Sequence, residues 1–295
     1  METNNKYIIL WNELLGKGSS CDVYKCKDVS DNYYAIKIIS KKIITPKMQK
    51  MLSNEISILK LLKSEYIMNI IDNYEDSNNY YIILDLADNK FIDIINSIDG
   101  VDIFTYMKQL IKCLIYIQNF KVSHNDIKPA NILIHNNRLK LCDFGMSADI
   151  DNNHDFFCGS PYYMNLERLT GNYKVSSDFW AVKIIYYYMV YGIMPYSNSR
   201  NIKELIKEIK SGIKYPYVIE QHTDILKSLF NNILSTPIDL LMKIESIENN
   251  FTFHCTKRNI TPYKEFSLFL NVSSVNNDDC DKIIDEEFSD FLLLE

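Results

Sequence analysis

From Tyr7 to Ser40 the chain alternates short runs of β-branched and aromatic residues (YIILWNELL, CDVYKCK, YYAIKIIS) with turn-prone interruptions (GKGSS, DVSDN). That rhythm predicts a meander of antiparallel strands. Residues 48 to 63 then place Met51, Ile56, Leu59 and Leu62 at helical spacing, with Ser53 and Asn54 off the apolar face. Two more strand-like runs, Ile67 to Ile71 and Tyr80 to Leu86, bracket the polar turn EDSNN. After Ala87 the periodicity lengthens. Helices are predicted over Phe91 to Ser97 and over Phe104 to Phe120, the latter with Phe104, Met107, Ile111, Leu114 and Ile115 on one face. The 11-residue apolar run Ile184 to Met194 reads as a buried helix, since a bilayer crossing needs about 20 such residues.

Between the helices of the second half lie loops rich in Asp, Asn, Gly and Pro (HNDIKPAN, CDFG, CGSPYY). Loops held on a rigid scaffold are where catalytic side chains collect. Near the start, Gly16-Lys17-Gly18 sits between two strand-like runs, where backbone N–H groups can approach phosphate oxygens without a Cβ in the way; taken alone it reads first as a plain hairpin turn. Lys37 ends Tyr34-Ala35-Ile36-Lys37, a cation in an otherwise apolar strand. A buried ammonium needs a partner, and Glu55 on the following helix is the natural candidate.

Composition changes this picture little. The 295 residues are 47% hydrophobic and 24% charged, an ordinary globular balance. The net charge of −6 is concentrated in residues 271 to 295, which hold eight acids and one lysine. The rest is nearly neutral, giving no general case for nucleic-acid or membrane binding. Seven cysteines without C-x-x-C or metal-ligand spacing point to reduced thiols inside a cell rather than to disulfides or zinc. The N-terminus lacks the signature of a secretion signal, so an intracellular site, cytoplasm or nucleus, is expected. Oligomeric state is not legible.

The segment Val122-Ser123-His124-Asn125-Asp126-Ile127-Lys128-Pro129-Ala130-Asn131-Ile132-Leu133, followed by Asp143-Phe144-Gly145, resembles the catalytic loop and metal-binding motif of the eukaryotic protein kinase family. The likeness runs from about Tyr7 to about Leu270. It implies a bilobal α+β fold: a small antiparallel sheet with one main helix over residues 1–84, a hinge at 85–88, a mainly helical lobe over 89–270 and an acidic tail over 271–295. It implies ATP and Mg²⁺ as cofactors and protein substrates with serine or threonine acceptors. Asp126 would accept the substrate's hydroxyl proton and Lys128 would steady the γ-phosphate. Lys37, held by Glu55, would grip the α and β phosphates beside Gly16, Lys17 and Gly18, and Asn131 and Asp143 would hold the metal. Val23, Ala35 and Leu133 would sandwich the adenine at a hinge that includes Asp85 and Ala87, with Leu84 guarding the back pocket. Leu59, Ile70, His124 and Phe144 would stack into an internal column. Asp178 would anchor the catalytic-loop backbone, and Glu167 would pair with a buried arginine, for which Arg258 is the match.

Lys128 and the Gly159 to Glu167 segment favour serine or threonine in a protein over tyrosine or a small molecule. Departures matter as well. Cys21 stands where the phosphate loop has its third glycine, Asn125 replaces the arginine that would bind an activation-segment phosphate, and no Ser, Thr or Tyr lies between Ser147 and Ser160. Activity without activation-segment phosphorylation is therefore expected, with Asp149, Asp151 and Asp155 as sources of fixed charge. Lys183 occupies the place of a small glycine. A non-catalytic scaffold is the alternative, although Lys37, Asp126 and Asp143 are all present. Asp178 to Val182, Ser211 to Pro216 and the tail's Phe288 and Phe291 resemble the AGC group, cAMP-dependent kinase in particular. The acids that basophilic members of that group use against substrate arginines are replaced by Lys90, Ala130 and Lys207. Richness in Asn, Ile, Lys and Tyr suggests an AT-rich genome, and a short kinase of this kind resembles those of large insect DNA viruses.

Overall fold

A computed structural model of the chain describes residues 6–18, 21–98, 100–151, 157–174, 176–196 and 198–250. The first strand, β1 (Tyr7–Lys17), turns into β2 (Cys21–Asp28), which turns into β3 (Tyr33–Ser40). Helix α1 (Pro46–Leu61) follows. Thr45 caps it by accepting from the Met48 amide at 3.2 Å, and Pro46 supplies a preset φ at the first helical position. Strands β4 (Ile70–Glu75) and β5 (Asn79–Asp85) complete an antiparallel sheet of order β1-β2-β3-β5-β4.

Register explains why β3 reads as nearly continuous apolar sequence rather than alternation. Directly paired residues share a face, so Val23, Lys37 and Ile82 lie on one side with Ala35 and Leu84. The other side is also covered: Tyr7, Cys26, Ile36, Tyr81 and Ile83 are buried there, with Tyr24, Tyr34, Ile38 and Tyr74 packed against them. Tyr74 stacks on Tyr81 at 4.7 Å between centroids. Only β4 is displaced from expectation. Ile67 and Met68, expected to begin that strand, are buried in a parallel bridge to Leu141 instead, with the Met68 amide donating to the Leu141 carbonyl at 3.0 Å. The β5 ladder starts at Ile70 and runs through polar Asp72 and Asn73, which an edge strand tolerates.

Beyond Asp85 come the two-residue β6 (Asn89–Lys90) and α2 (Phe91–Ile94), a single turn where a seven-residue helix was expected. The long α3 (Gly100–Asn119) buries Phe104, Met107, Ile111 and Leu114 as its periodicity requires, together with Cys113 and Ile117, while Ile115 is only part-buried. Then β7 (Val122–Ser123), β8 (Ile132–His135), β9 (Arg138–Leu141) and β10 (Ala148–Asp149) form two small antiparallel sheets, β10-β7 and β6-β8-β9. The remaining described elements are helical: α4 (Leu166–Leu169), α5 (Asp178–Tyr191), α6 (Ile202–Lys210), α7 (Glu220–Phe230) and α8 (Pro237–Asn250). Helix α5 is apolar all round and buried almost throughout, as its uninterrupted run predicts. Its one cation, Lys183, donates to the Leu229 carbonyl at 2.9 Å and lies 5.0 Å from the Phe179 ring centre. The architecture is α+β: an antiparallel sheet with one main helix, then a mainly helical lobe. No helix among the described residues is long and apolar enough to cross a membrane.

Candidate active site

Lys37 and Glu55 meet across β3 and α1. The Lys37 Nζ donates to both Glu55 oxygens, at 2.9 and 2.8 Å, and Glu55 is only 4% exposed. Asp143 Oδ1 stands 3.5 Å from the same nitrogen. Burial alone would push the lysine's pKa down, but the Glu55 and Asp143 carboxylates outweigh it and hold Lys37 above its ordinary value. Lys37 in turn depresses Asp143 against the opposing effect of burial. Glu55 is raised, because burial exceeds what Lys37 returns. The cation is thus permanent, and its free side faces Asp143.

The loop 124–131 holds the second group. Its backbone is pinned by Asp178 at the head of α5, whose two oxygens accept from the His124 and Asn125 amides at 2.7 and 2.8 Å. Asn125 takes φ +66°, a left-handed conformation that asparagine tolerates. Pinned in this way, Asp126 presents a carboxylate with three partners: Ser160 Oγ donates to Oδ1 at 2.8 Å, Asn131 Nδ2 donates to Oδ2 at 2.9 Å, and Lys128 Nζ stands 3.2 Å from Oδ2. Lys128 also donates to Ser160 Oγ at 2.9 Å. A carboxylate held by three partners stays aimed.

Asn131 lies in a short 3-10 turn, fixed by a second bond to the Asp126 carbonyl at 2.8 Å. Asp143 takes φ +61° and keeps 51% of its side chain exposed. Among the described residues no three His, Cys, Asp or Glu side chains gather as a complete metal cage. One carboxylate and one carboxamide are hard oxygen donors of the kind that binds Mg²⁺ jointly with phosphate oxygens and water, so the donor set fits that ion. Gly16 and Lys17 end β1, paired with Val23 and Asp22, and the Gly18 amide donates to the Cys21 carbonyl at 2.8 Å. The thiols of Cys21 and Cys142 are both raised by burial and remain protonated at neutral pH.

Around these groups, Ala35 is buried and pairs with Leu84, while Val23 pairs with Lys37 and Leu133 is half-buried on β8 between buried Ile132 and Ile134. Asp85 accepts from Asn69 Nδ2 at 2.8 Å, and its amide donates to the Asn69 carbonyl at 3.2 Å. The Ala87 amide has no hydrogen-bond partner among the described residues. Behind the site Leu59, Ile70, His124 and Phe144 are all buried, with the His124 and Phe144 rings edge to face at 4.7 Å.

Sequence reading missed three side chains. The Ser160 hydroxyl joins Asp126 to Lys128, which its serine-proline context alone does not announce. Asn54, beside Glu55, reaches the Ser147 carbonyl at 2.6 Å. Arg168, the neighbour of exposed Glu167, is a buried arginine that sequence reading passed over; the pairing expected between Glu167 and Arg258 lies outside the described residues. Arg258, Asp155 and the tail phenylalanines lie outside the described residues. Asp149 and Asp151 are exposed, the latter 3.3 Å from Lys121.

Comparison with known proteins agrees with this geometry. The chain is 32% identical to "Calcium-dependent protein kinase 4" of Plasmodium berghei over 79% of its own length and 44% of that protein's. It is 30% identical to "Probable serine/threonine-protein kinase fhkC" of Dictyostelium discoideum over 90% of its length and 48% of that protein's. It thus spans less than half the length of these relatives. The family model for the protein kinase domain matches residues 10–258, which hold Lys37, Glu55, Asp126, Asn131 and Asp143 in one stretch, and the chain belongs to that family.

Proposed function

We propose that the chain is a serine/threonine protein kinase that transfers the γ-phosphoryl group of ATP to hydroxyls of protein substrates. The observation that carries the reading is the Asp126 carboxylate, held between Asn131, Lys128 and Ser160, in a chain that also pairs Lys37 with Glu55 and Asp143. In phosphoryl transfer the charge in flight is spread over oxygens, so positioning and neutralisation do most of the work.

Lys37, kept charged by Glu55, binds the α and β phosphates. Val23, Ala35 and Leu133 enclose the adenine, and the Ala87 amide donates to it. The acceptor hydroxyl gives its proton to Asp126 as its oxygen bonds to the γ phosphorus; the bond from that phosphorus to the β-γ bridging oxygen breaks, and ADP leaves. Lys128 lies beside Asp126 and offsets charge on the transferring group. Asn131 and Asp143 would hold Mg²⁺, which would supply neutralisation of the phosphate oxygens.

The test is radiolabelled ATP with a mixed peptide library. Label is expected on serine and threonine peptides, falling by about 10²- to 10⁴-fold with Asp126→Asn, the range of a lost general base. Label confined to tyrosine peptides, or transfer that survives in Asp126→Asn, would overturn the reading. The proposal extends to independence from activation-segment phosphorylation, supported by Asn125 and by the absence of hydroxyl side chains between Ser147 and Ser160. Phosphatase treatment of purified protein should leave the rate within twofold; a large loss would refute it. Within the family, Asp178 to Val182 and Ser211 to Pro216 support an AGC-like placement.

A further inference from the structure

Among the described residues Arg168 is the largest fully buried side chain, with 0% exposure. Its Nη1 donates to Asn125 Oδ1 at 3.2 Å and to the Tyr173 carbonyl at 2.9 Å, while its Nη2 donates to the Cys158 carbonyl at 3.3 Å and lies 3.1 Å from Cys158 Sγ. Taking a guanidinium out of water is costly, and an apolar side chain of similar volume would often be neutral or stabilising in its place. What the cation gains is connectivity. Its planar fork ties together three segments that no secondary structure joins: the catalytic loop at Asn125, the segment before Ser160 at Cys158, and the loop after α4 at Tyr173.

Two of those ends lead directly to Asp126. Asn125 is its chain neighbour, and Cys158 lies two residues before Ser160, whose hydroxyl donates to the Asp126 carboxylate. Between them stands Gly159, at φ +98°, so close to the loop that a Cβ there would come within 2.3 Å of the Asn125 carbonyl oxygen. The two segments therefore touch backbone to backbone at Gly159, and Arg168 bonds both of them beside that contact. Arg168 also holds the neutral Asn125 side chain from within, with a charge the protein always carries.

We infer that Arg168 is a positioning residue for the phosphoryl-transfer reaction, clamping the Ser160 segment to the Asp126 loop so that carboxylate and hydroxyl stay in register. The inference deepens the proposed kinase activity and rests on it for its kinetic consequence, but not for its structural one. It also supplies a reason for independence from activation-segment phosphorylation: the link between segment and catalytic loop is built into the fold by a buried cation.

The experiment compares wild type, Arg168→Met, Arg168→Lys, Asn125→Ala and the double variant Arg168→Met with Asn125→Ala, all in the full chain. Loss of register is expected to lower kcat for peptide phosphorylation by about 10- to 100-fold in Arg168→Met, as misplacement by an ångström can, while KM for ATP stays within twofold. Arg168→Lys, which keeps the charge but not the fork, should fall between. The double variant should lose no more than the worse single one, because both remove the same link; losses that multiply, or a KM for ATP that rises in step with the fall in kcat, would overturn the clamp. Hydrogen exchange gives a second readout that needs no turnover. Protection should fall in 123–126 and 157–160 of Arg168→Met, or of Asn125→Ala if the methionine variant does not fold, while α5 and α7 keep theirs. Unchanged exchange in those two segments sinks the inference. Should wild type transfer no phosphate, the proposed function fails, and the exchange result still decides on Arg168.

Discussion

Lys37 and Glu55 show how one buried pair sets both charge and stability. Glu55 sits above its ordinary pKa of 4.5 because burial dominates, and Lys37 offsets only part of that rise. Lys37→Met removes the offset and moves the Glu55 pKa further up. A carboxyl whose folded pKa is raised contributes stability that is full below its unfolded pKa and is lost as pH climbs through the folded value. Lys37 itself, held above 10.5, contributes a constant amount over the neutral range. The melting-temperature deficit of Lys37→Met against wild type should therefore grow from pH 5.5 to pH 8, and a deficit flat across that range would contradict the assignment. At this scale the sequence was most informative where chemistry allows few alternatives: a proton acceptor, a fixed cation and hard oxygen ligands restrict Asp126, Lys37, Asn131 and Asp143 to narrow residue choices. Arg168 was illegible for the opposite reason. In Leu-Glu-Arg-Leu nothing local distinguishes the charge that goes inside from Glu167, which stays out.

Elements were legible wherever one periodicity ruled. Helix α3 follows its apolar face and α5 its unbroken run, while α1 forms where its spacing predicts but turns Leu52 and Ile58 inward with Leu59 and leaves the expected Met51 and Ile56 part-buried. Misreadings fell where tertiary partners cut across local pattern: Ile67 and Met68 pair with Leu141 rather than with β5, and α2 stops after one turn. Helix α1 matters beyond its own stability because it carries Glu55, and Asn54 couples it to the segment after Asp143 through the Ser147 carbonyl. Thr45→Ala and Asn54→Ala separate the two roles. Loss of the cap costs about 1 kcal/mol, and loss of the Asn54 bond, which strips a donor from a buried carbonyl, about 1–3 kcal/mol. Both variants should melt lower. Only Asn54→Ala should also raise KM for ATP severalfold, since it alone frees the face of α1 next to Glu55; equal KM values in the two variants would show that the bond is structural only.

At the scale of the whole molecule, the proposed function has the sheet's Lys37 and Ala35 and the helical lobe's Asp126, Asn131 and Asp143 bind one nucleotide from opposite lobes, so ligand binding should stabilise the fold as one unit. Leu59, Ile70, His124 and Phe144 are buried, and the Met68 amide on the sheet side donates to the Leu141 carbonyl on the helical side. A ligand at about a hundred times its Kd adds about 2.7 kcal/mol. For a domain of this size each kcal/mol moves Tm by about 2–4 °C. Wild type should therefore melt about 5–10 °C higher with magnesium and ATP at that concentration, and by clearly less with ATP and EDTA. Asp143→Asn keeps the adenine contacts and the Lys37–Glu55 pair but loses the one carboxylate offered to the metal. Its shift with magnesium and ATP should equal its shift with ATP and EDTA. A magnesium-dependent increment retained in Asp143→Asn would mean that the ion is held elsewhere, and the roles given to Asn131 and Asp143 would both fall with it.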